Sequence, residues 1–226
     1  MRVHFINIFL TFFLYSFTLP TLASDKDTLV IVSIEEKSTL KPVIELVSAA
    51  YNNLNYNTEF YYLPISRGLV EAQKNTWVDA ELGRVESAQY ILTDFIKVPV
   101  KIFTTDVVAY YLSPSMTVNG WESLSKYRIA SLNGFVAIQD KIERYNLKDI
   151  NLVVSAQQCF KLLAAGRVDI ILLPKNMGKM LATVDNELQV KEVKLDTISL
   201  YHFIHKRHQH LVPLLTKELT NLLDKK

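Results

Sequence analysis

Arg84 is the side chain in this sequence best suited to holding a charged small molecule. It follows Gly83 at the end of a predicted strand, where a guanidinium fork can grip a carboxylate or phosphate in a bidentate manner. An ion pair with Glu81 or Glu86 competes for the same fork. Glu35, on a polar loop after the first predicted strand, suits a cationic group, or simply solvent. Tyr62 and Phe135 can sandwich an apolar moiety, or serve as plain core. Asn133-Gly134 precedes a predicted helix, whose first N–H groups favour an anion; an ordinary turn and cap is the alternative. Gln157 and Lys175 also follow predicted strands, and Arg67 on a helix offers either a salt bridge or a ligand contact. What unites most of these residues is position, since ligands of open parallel sheets bind beyond the carboxyl ends of the strands.

Other chemistries find less support. There is no Gly-x-Ser-x-Gly elbow, no phosphate-binding loop and no His-Glu-x-x-His, so catalysis is not expected. His202, His205, His208 and His210 cluster, but their spacing matches no standard zinc pattern, and they are expected on a polar surface. Neither metal nor cofactor is expected. Asp79 and Asp169 open predicted strands and should bond local backbone. A net charge of +2 over 226 residues implies no nucleic-acid partner. Cys159 is the only cysteine, which rules out an internal disulfide and fits a small buried residue.

The elements that must position these groups alternate. Residues 28–34, 58–63 and 77–82 read as strands, separated by helices near 39–54 and 64–73. Ser38 or Thr39 should cap the first of those helices, with Pro42 in its first turn and the Asn52-Asn53 and Asn55 run closing it. A polar helical run at 86–93 follows, then two strands at 98–103 and 107–112. A second series adds strands at 127–132, 150–154 and 168–173, a short one at 188–193, and helices at 135–145, 156–165 and 176–184. Residues 197–204 lead back to a closing helix from about 210, with Pro213 in its first turn. Two segments echo each other: a helical run stops at Asn75 or Gly166, and a Val-Asp pair then opens a strand. This βαβ pattern predicts two α/β lobes with parallel sheets. Residues 1–23 carry Arg2, an apolar run over 5–17 and a small-residue site ending at Ala23, which is the pattern of a cleaved export signal.

In this order and spacing, the export signal, Pro64-Ile65-Ser66-Arg67-Gly68-Leu69, Trp77-Val78-Asp79, Asn133-Gly134, Gly166-Arg167-Val168-Asp169 and Leu211-Val212-Pro213 resemble the type II periplasmic solute-binding proteins. The family-3 group, with its polar amino-acid binders, is the nearest match. The resemblance implies a two-lobed periplasmic binding protein-like II fold, with mainly parallel sheets and a two-segment hinge. Lobe one would be residues 24–107 plus 197–226, lobe two 112–193, and the hinge 105–112 and 194–198. It also implies a periplasmic monomer that closes on a small, amino-acid-like, anion-bearing ligand. The partner would be an inner-membrane permease or a membrane sensor. The family's ammonium-holding acidic residue falls here near Pro174, and its carboxylate-holding arginine at Ile91. The ligand clamps of an ordinary α-amino-acid site are therefore missing from their expected places.

Overall fold

The computed structural model describes residues 26–34, 37–74, 77–182 and 189–225. Glu35, Asn75 and the expected export signal lie outside the described residues. The first lobe opens with β1 (Thr28–Ile34), α1 (Lys37–Asn53), β2 (Asn57–Leu63), α2 (Ile65–Lys74) and β3 (Ala80–Val85). A short 3-10 turn at Glu86–Tyr90, where a polar helix was expected, leads into β4 (Phe95–Tyr111). The second lobe holds β5 (Ile129–Leu132), α3 (Val136–Arg144), β6 (Ile150–Val153), α4 (Ala156–Ala164), β7 (Ile170–Pro174) and α5 (Lys175–Ala182). β8 (Lys191–His205) then crosses back, and α6 (Val212–Asp224) closes the first lobe with Pro213 in its first turn.

The eight strands form one sheet in the order β2-β1-β3-β8-β4-β7-β5-β6. Its two wings, β2-β1-β3 and β7-β5-β6, are parallel, and antiparallel ladders through β8 and β4 join them. On one face of the first wing, Leu29 and Ile31 meet Val47, Leu215 and Leu219 under α1 and α6. On the other face, Val32 meets Leu69, Ala72 and Phe203 under α2. The second wing has its own core around Ile170, Leu172, Leu163 and Trp121.

Three expectations need correction. The strand pairs expected at 98–103 and 107–112, and at 188–193 and 197–204, are single long strands, because Thr104, Thr105 and Asp106 stay paired with Ser199, Ile198 and Thr197. Pro99 is accommodated where the register shifts between Lys97 and Lys101, as a proline in a strand requires. The Val-Asp pairs do not open strands but sit just before them. Asp79 Oδ2 accepts from Val30 N at 2.8 Å, and Asp169 Oδ2 accepts from Arg128 N at 2.9 Å, so each carboxylate ties the approach to its strand onto a neighbour. Finally, α1 starts at Lys37, which places Ser38 and Thr39 inside the helix and Pro42 in its second turn.

The stops were legible. Gly166 at φ +63 closes α4, with Arg167 N bonding Leu162 O and Gly166 N bonding Leu163 O. Asn55 at φ +67 closes α1 in the same way. Each of these aspartates also accepts from an arginine: Arg128 Nε and Nη2 donate to the two oxygens of Asp169, and Arg207 Nε and Nη2 both donate to Asp79 Oδ1. Burial alone would raise the Asp79 carboxyl, but bonds from Val30, His208 and Arg207 hold it below the usual carboxylate range.

Two of the four histidines, His202 and His205, are not on a polar surface, whereas His208 is half-buried and His210 is exposed. β8 runs through the middle of the sheet, so His202 is fully buried and His205 nearly so. His202 Nδ1 lies 3.2 Å from Leu82 O and Nε2 lies 2.8 Å from the Tyr51 hydroxyl, which fits a neutral ring donating from Nδ1 and accepting at Nε2. Burial pushes its pKa down to about 4. The unfolded chain therefore takes up a proton near pH 6.5 that the folded chain refuses until about 4. Stability from this site is complete above pH 6.5 and falls by roughly 3 kcal/mol as the pH drops to 4. Denaturant midpoints measured between pH 7 and pH 4 should show this decline. A His202→Phe variant, although less stable at pH 7, should show a flatter profile over that window.

Candidate functional site

The carboxyl ends of β1, β3, β5 and β7 face each other across the lobes and bound a narrow cleft. Ile34, Ile65, Gly83, Arg84 and Val85 come from the first lobe. Phe135, Val136, Pro174, Asn176 and Met177 come from the second, while Phe103, Thr105, Ile198 and Leu200 of β4 and β8 form the floor. A side chamber that shares Ile34, Ile65 and Met177 with it runs past Pro64, Leu132, Val154, Ser155 and Gln157. The walls are mostly aliphatic and aromatic. The polar lining includes Asn176, whose Oδ1 accepts from Thr105 Oγ1 at 3.1 Å.

Arg84 lines the cleft, but it is inside β3 rather than on the loop beyond it, and its guanidinium is occupied. Nε and Nη2 donate to the two carboxylate oxygens of Glu81 at 2.9 and 3.1 Å, and Nη2 lies 3.4 Å from Ile65 O. Arg84 is 7% exposed and Glu81 1%. In a regular strand, residues three apart point to opposite faces. Here β3 carries an extra residue against β8, between the pairs Glu81–Phe203 and Arg84–Tyr201, and this bulge puts both side chains on one side. Gly68 on α2 leaves room for the pair, since a Cβ there would stand 2.8 Å from Arg84 Nη2. The Gly83 within a strand-like run was the available sequence signal for such a bulge.

The other expected site residues divide. Gly134, Phe135 and Arg84 share the cleft, and Gln157 lines the adjoining chamber. Asn133 is exposed on the turn after β5, where its N–H bonds Val153 O. Tyr62 lies within β2, opposite Ser33, and is not among the cleft-lining residues, so the expected sandwich with Phe135 is not formed. Arg67 points away to Glu71 at 2.6 Å on the far side of α2, beside Tyr61 and Trp77. Lys175 opens α5, and its ammonium sits 3.8 Å from Glu192. Sequence reasoning missed the floor, because β4 and β8 were each read as two pieces, and it missed Asn176, which read only as the start of a helix. Among the described residues no group of three His, Cys, Asp or Glu side chains is placed to hold a metal.

The two lobes touch directly at the cleft. Gly134, at φ +80, packs so closely on α2 that a Cβ would stand 2.7 Å from both N and Cα of Ser66. Next to it, Val136 leaves its own lobe and enters the first lobe's cluster with Leu69, Ala72 and Leu92.

No protein-family profile matches the sequence, and no characterised protein matches it by sequence. Solved structures do match in shape. Holo ArgBP from T. maritima aligns at 12% identity over 86% of this chain and 90% of that one, with a TM-score of 0.70. The ancestral amino-acid-binding protein AncCDT-1, a precursor of cyclohexadienyl dehydratase, aligns at 15% identity over 87% and 90%, with a TM-score of 0.66. A histidine kinase sensor domain with similarity to periplasmic binding proteins aligns at 17% identity over 88% and 92%, with a TM-score of 0.74. The fold is that of the two-lobed periplasmic binding proteins.

The Arg84–Glu81 pair should be structural. Arg84→Ala leaves Glu81 buried without a partner and should cost about 3–5 kcal/mol, whereas a paired Arg84→Met, Glu81→Leu replacement should be close to neutral. Urea denaturation of both single variants and the double variant measures the coupling. Equal, additive losses in the singles would show that the pair does not act as a unit.

Proposed function

We propose that this chain is an exported binding protein of the periplasm, a divergent relative of the family-3 solute-binding group, whose lobes close on a small molecule. The observation that carries the reading is the cleft itself. It lies beyond the carboxyl ends of strands from both lobes, with a floor made by the two strands that cross between them. Lobe one would comprise 24–107 and 197–226, and lobe two 112–193, with the hinge at 105–112 and 194–198. A register shift supports that hinge: Val107 pairs with Asp196 but Val108 with Lys194, so Leu195 bulges from the ladder. The Asp106 carboxylate accepts from Thr197 Oγ1 at 2.9 Å and pairs with Lys194 Nζ at 2.9 Å, bracing the same point. Closure would follow from the ligand's higher affinity for the closed state. The residues proposed to surround the ligand are Arg84, Gly134, Phe135 and, in the side chamber, Gln157.

Two uses of closure stand side by side. Delivery to an inner-membrane permease is the use typical of the resembled family. Sensing, in which the closed form docks on a membrane receptor, gains support from the shape match to a histidine kinase sensor domain at TM-score 0.74. Crosslinking in intact cells, with and without ligand, separates the two by the membrane protein that is captured.

Thermal unfolding against amino acids, carboxylates, amines and neutral aromatics tests the binding reading, since ligand at 100 times its dissociation constant adds about 2.7 kcal/mol. Closure has its own test. Gly134→Ala places a methyl group against the Ser66 backbone at a φ that disfavours alanine. It should hold the lobes apart, enlarge the radius of gyration in X-ray scattering, and weaken binding by roughly tenfold or more by depleting the competent state. A variant as compact as the parent, with unchanged affinity, contradicts the closed arrangement at Gly134.

A further inference from the structure

We infer that the cleft takes a neutral, largely apolar ligand carrying one hydrogen-bond acceptor, and not a zwitterionic amino acid. This inference rests on the binding reading above and specifies its ligand. Among the described residues that line the cleft, Arg84 is the only one with a formal charge. Glu81 already neutralises it, holding Nε and Nη2 with both of its oxygens. A ligand carboxylate would have to share the fork with Glu81, placing two anions side by side where almost no water reaches. A ligand ammonium would have to draw Glu81 away from Arg84. Either arrangement leaves a desolvated charge without its full complement of partners, the costly outcome for buried ions.

The walls favour apolar atoms. Ile65 and Val85 face Phe135 and Met177 across the gap, over a floor of Phe103 and Ile198. Pockets of this kind take most of their affinity from apolar burial and set orientation with a few polar groups. Asn176 supplies such a group. Its Oδ1 is committed to Thr105, which turns the amide so that Nδ2 is a donor with no partner among the described residues. A carbonyl, ether or hydroxyl oxygen on the ligand would satisfy it.

A matched series of ring compounds tests this on the purified protein: acetophenone, benzoate and benzylammonium, with toluene, arginine and glutamine alongside. Binding is read by calorimetry and by ligand-observed NMR. Acetophenone should bind at least about tenfold tighter than benzoate or benzylammonium. Asn176→Leu should remove most of the advantage of acetophenone over toluene. Ile65→Glu, an acidic residue in the first turn of α2 where it is tolerated, should abolish acetophenone binding while the thermal melt stays cooperative. Tighter binding of benzoate overturns the inference by showing that Arg84 leaves Glu81 for an anion. Tighter binding of benzylammonium overturns it in favour of a cation site. Binding of arginine or glutamine alone overturns the neutral ligand but keeps the binding protein. Binding of none of the six compounds overturns both.

Discussion

The ladder between β4 and β8 is the constraint on which everything else depends. These two strands pair from Phe95–His205 at one end to Tyr111–Lys191 at the other, and they belong to both wings of the sheet. Each lobe is anchored to them by a different neighbour, β3 on β8 and β7 on β4. The floor of the cleft is therefore continuous sheet, and the walls are attached to its two ends. A cleft built this way cannot open by separating its floor. On the proposed reading, opening would bend the ladder, and irregular register is where a ladder bends. The shift between Val107 and Val108 lies on the second-lobe side of the floor residues Phe103, Thr105, Ile198 and Leu200.

Each lobe repeats one locking device. A Val-Asp pair precedes the strand, the aspartate accepts a backbone N–H from the adjacent strand, and an arginine covers the carboxylate. In the second lobe the arginine comes from the same β5 approach, as Arg128. In the first lobe it comes from Arg207, just after β8, and it therefore also ties the end of the crossing strand to the parallel wing. His208 adds a third contact to Asp79 at 2.6 Å. Through Arg207 and His208, the basic and histidine-rich segment 205–210 thus clasps the end of β8 to the approach of β3.

What was legible in the sequence is what local chemistry decides. The bounds of β1, the Asn55 and Gly166 stops and the place of Pro213 follow from hydrophobic runs, left-handed conformations and proline geometry. The α/β alternation predicted two parallel wings for the same reason. The misreadings involve partners far away in sequence. Thr104 to Asp106 looks like a break until β8, about ninety residues on, supplies its pairing. Arg84 looks like a free fork until a bulge turns it onto Glu81. His202 looks like surface until β8 is placed in the centre of the sheet. Val136 reads as the start of a helix in its own lobe, and nothing local signals that its side chain is buried in the other one.

That last contact bears on how closure works. A valine side chain moved from water into an apolar cluster stabilises by about 1.5–3 kcal/mol. Val136 makes such a contact between lobes, and Gly134 lets the backbones approach closely enough for it to form. The arrangement of the lobes described here thus has stabilisation of its own, independent of any ligand. Shifting a two-state equilibrium from one per cent closed to ninety-nine takes about 5.5 kcal/mol of differential affinity. Whatever the interlobe contact contributes is removed from that demand. A ligand that offers only apolar surface and one hydrogen bond, with no ion pair to bridge the lobes, supplies less differential affinity than a clamped amino acid would. On the reading proposed above, the Val136 contact and a cleft whose one charge is already paired would be complementary features: the weaker the grip of the site on a ligand, the more of the closing energy would come from the protein itself.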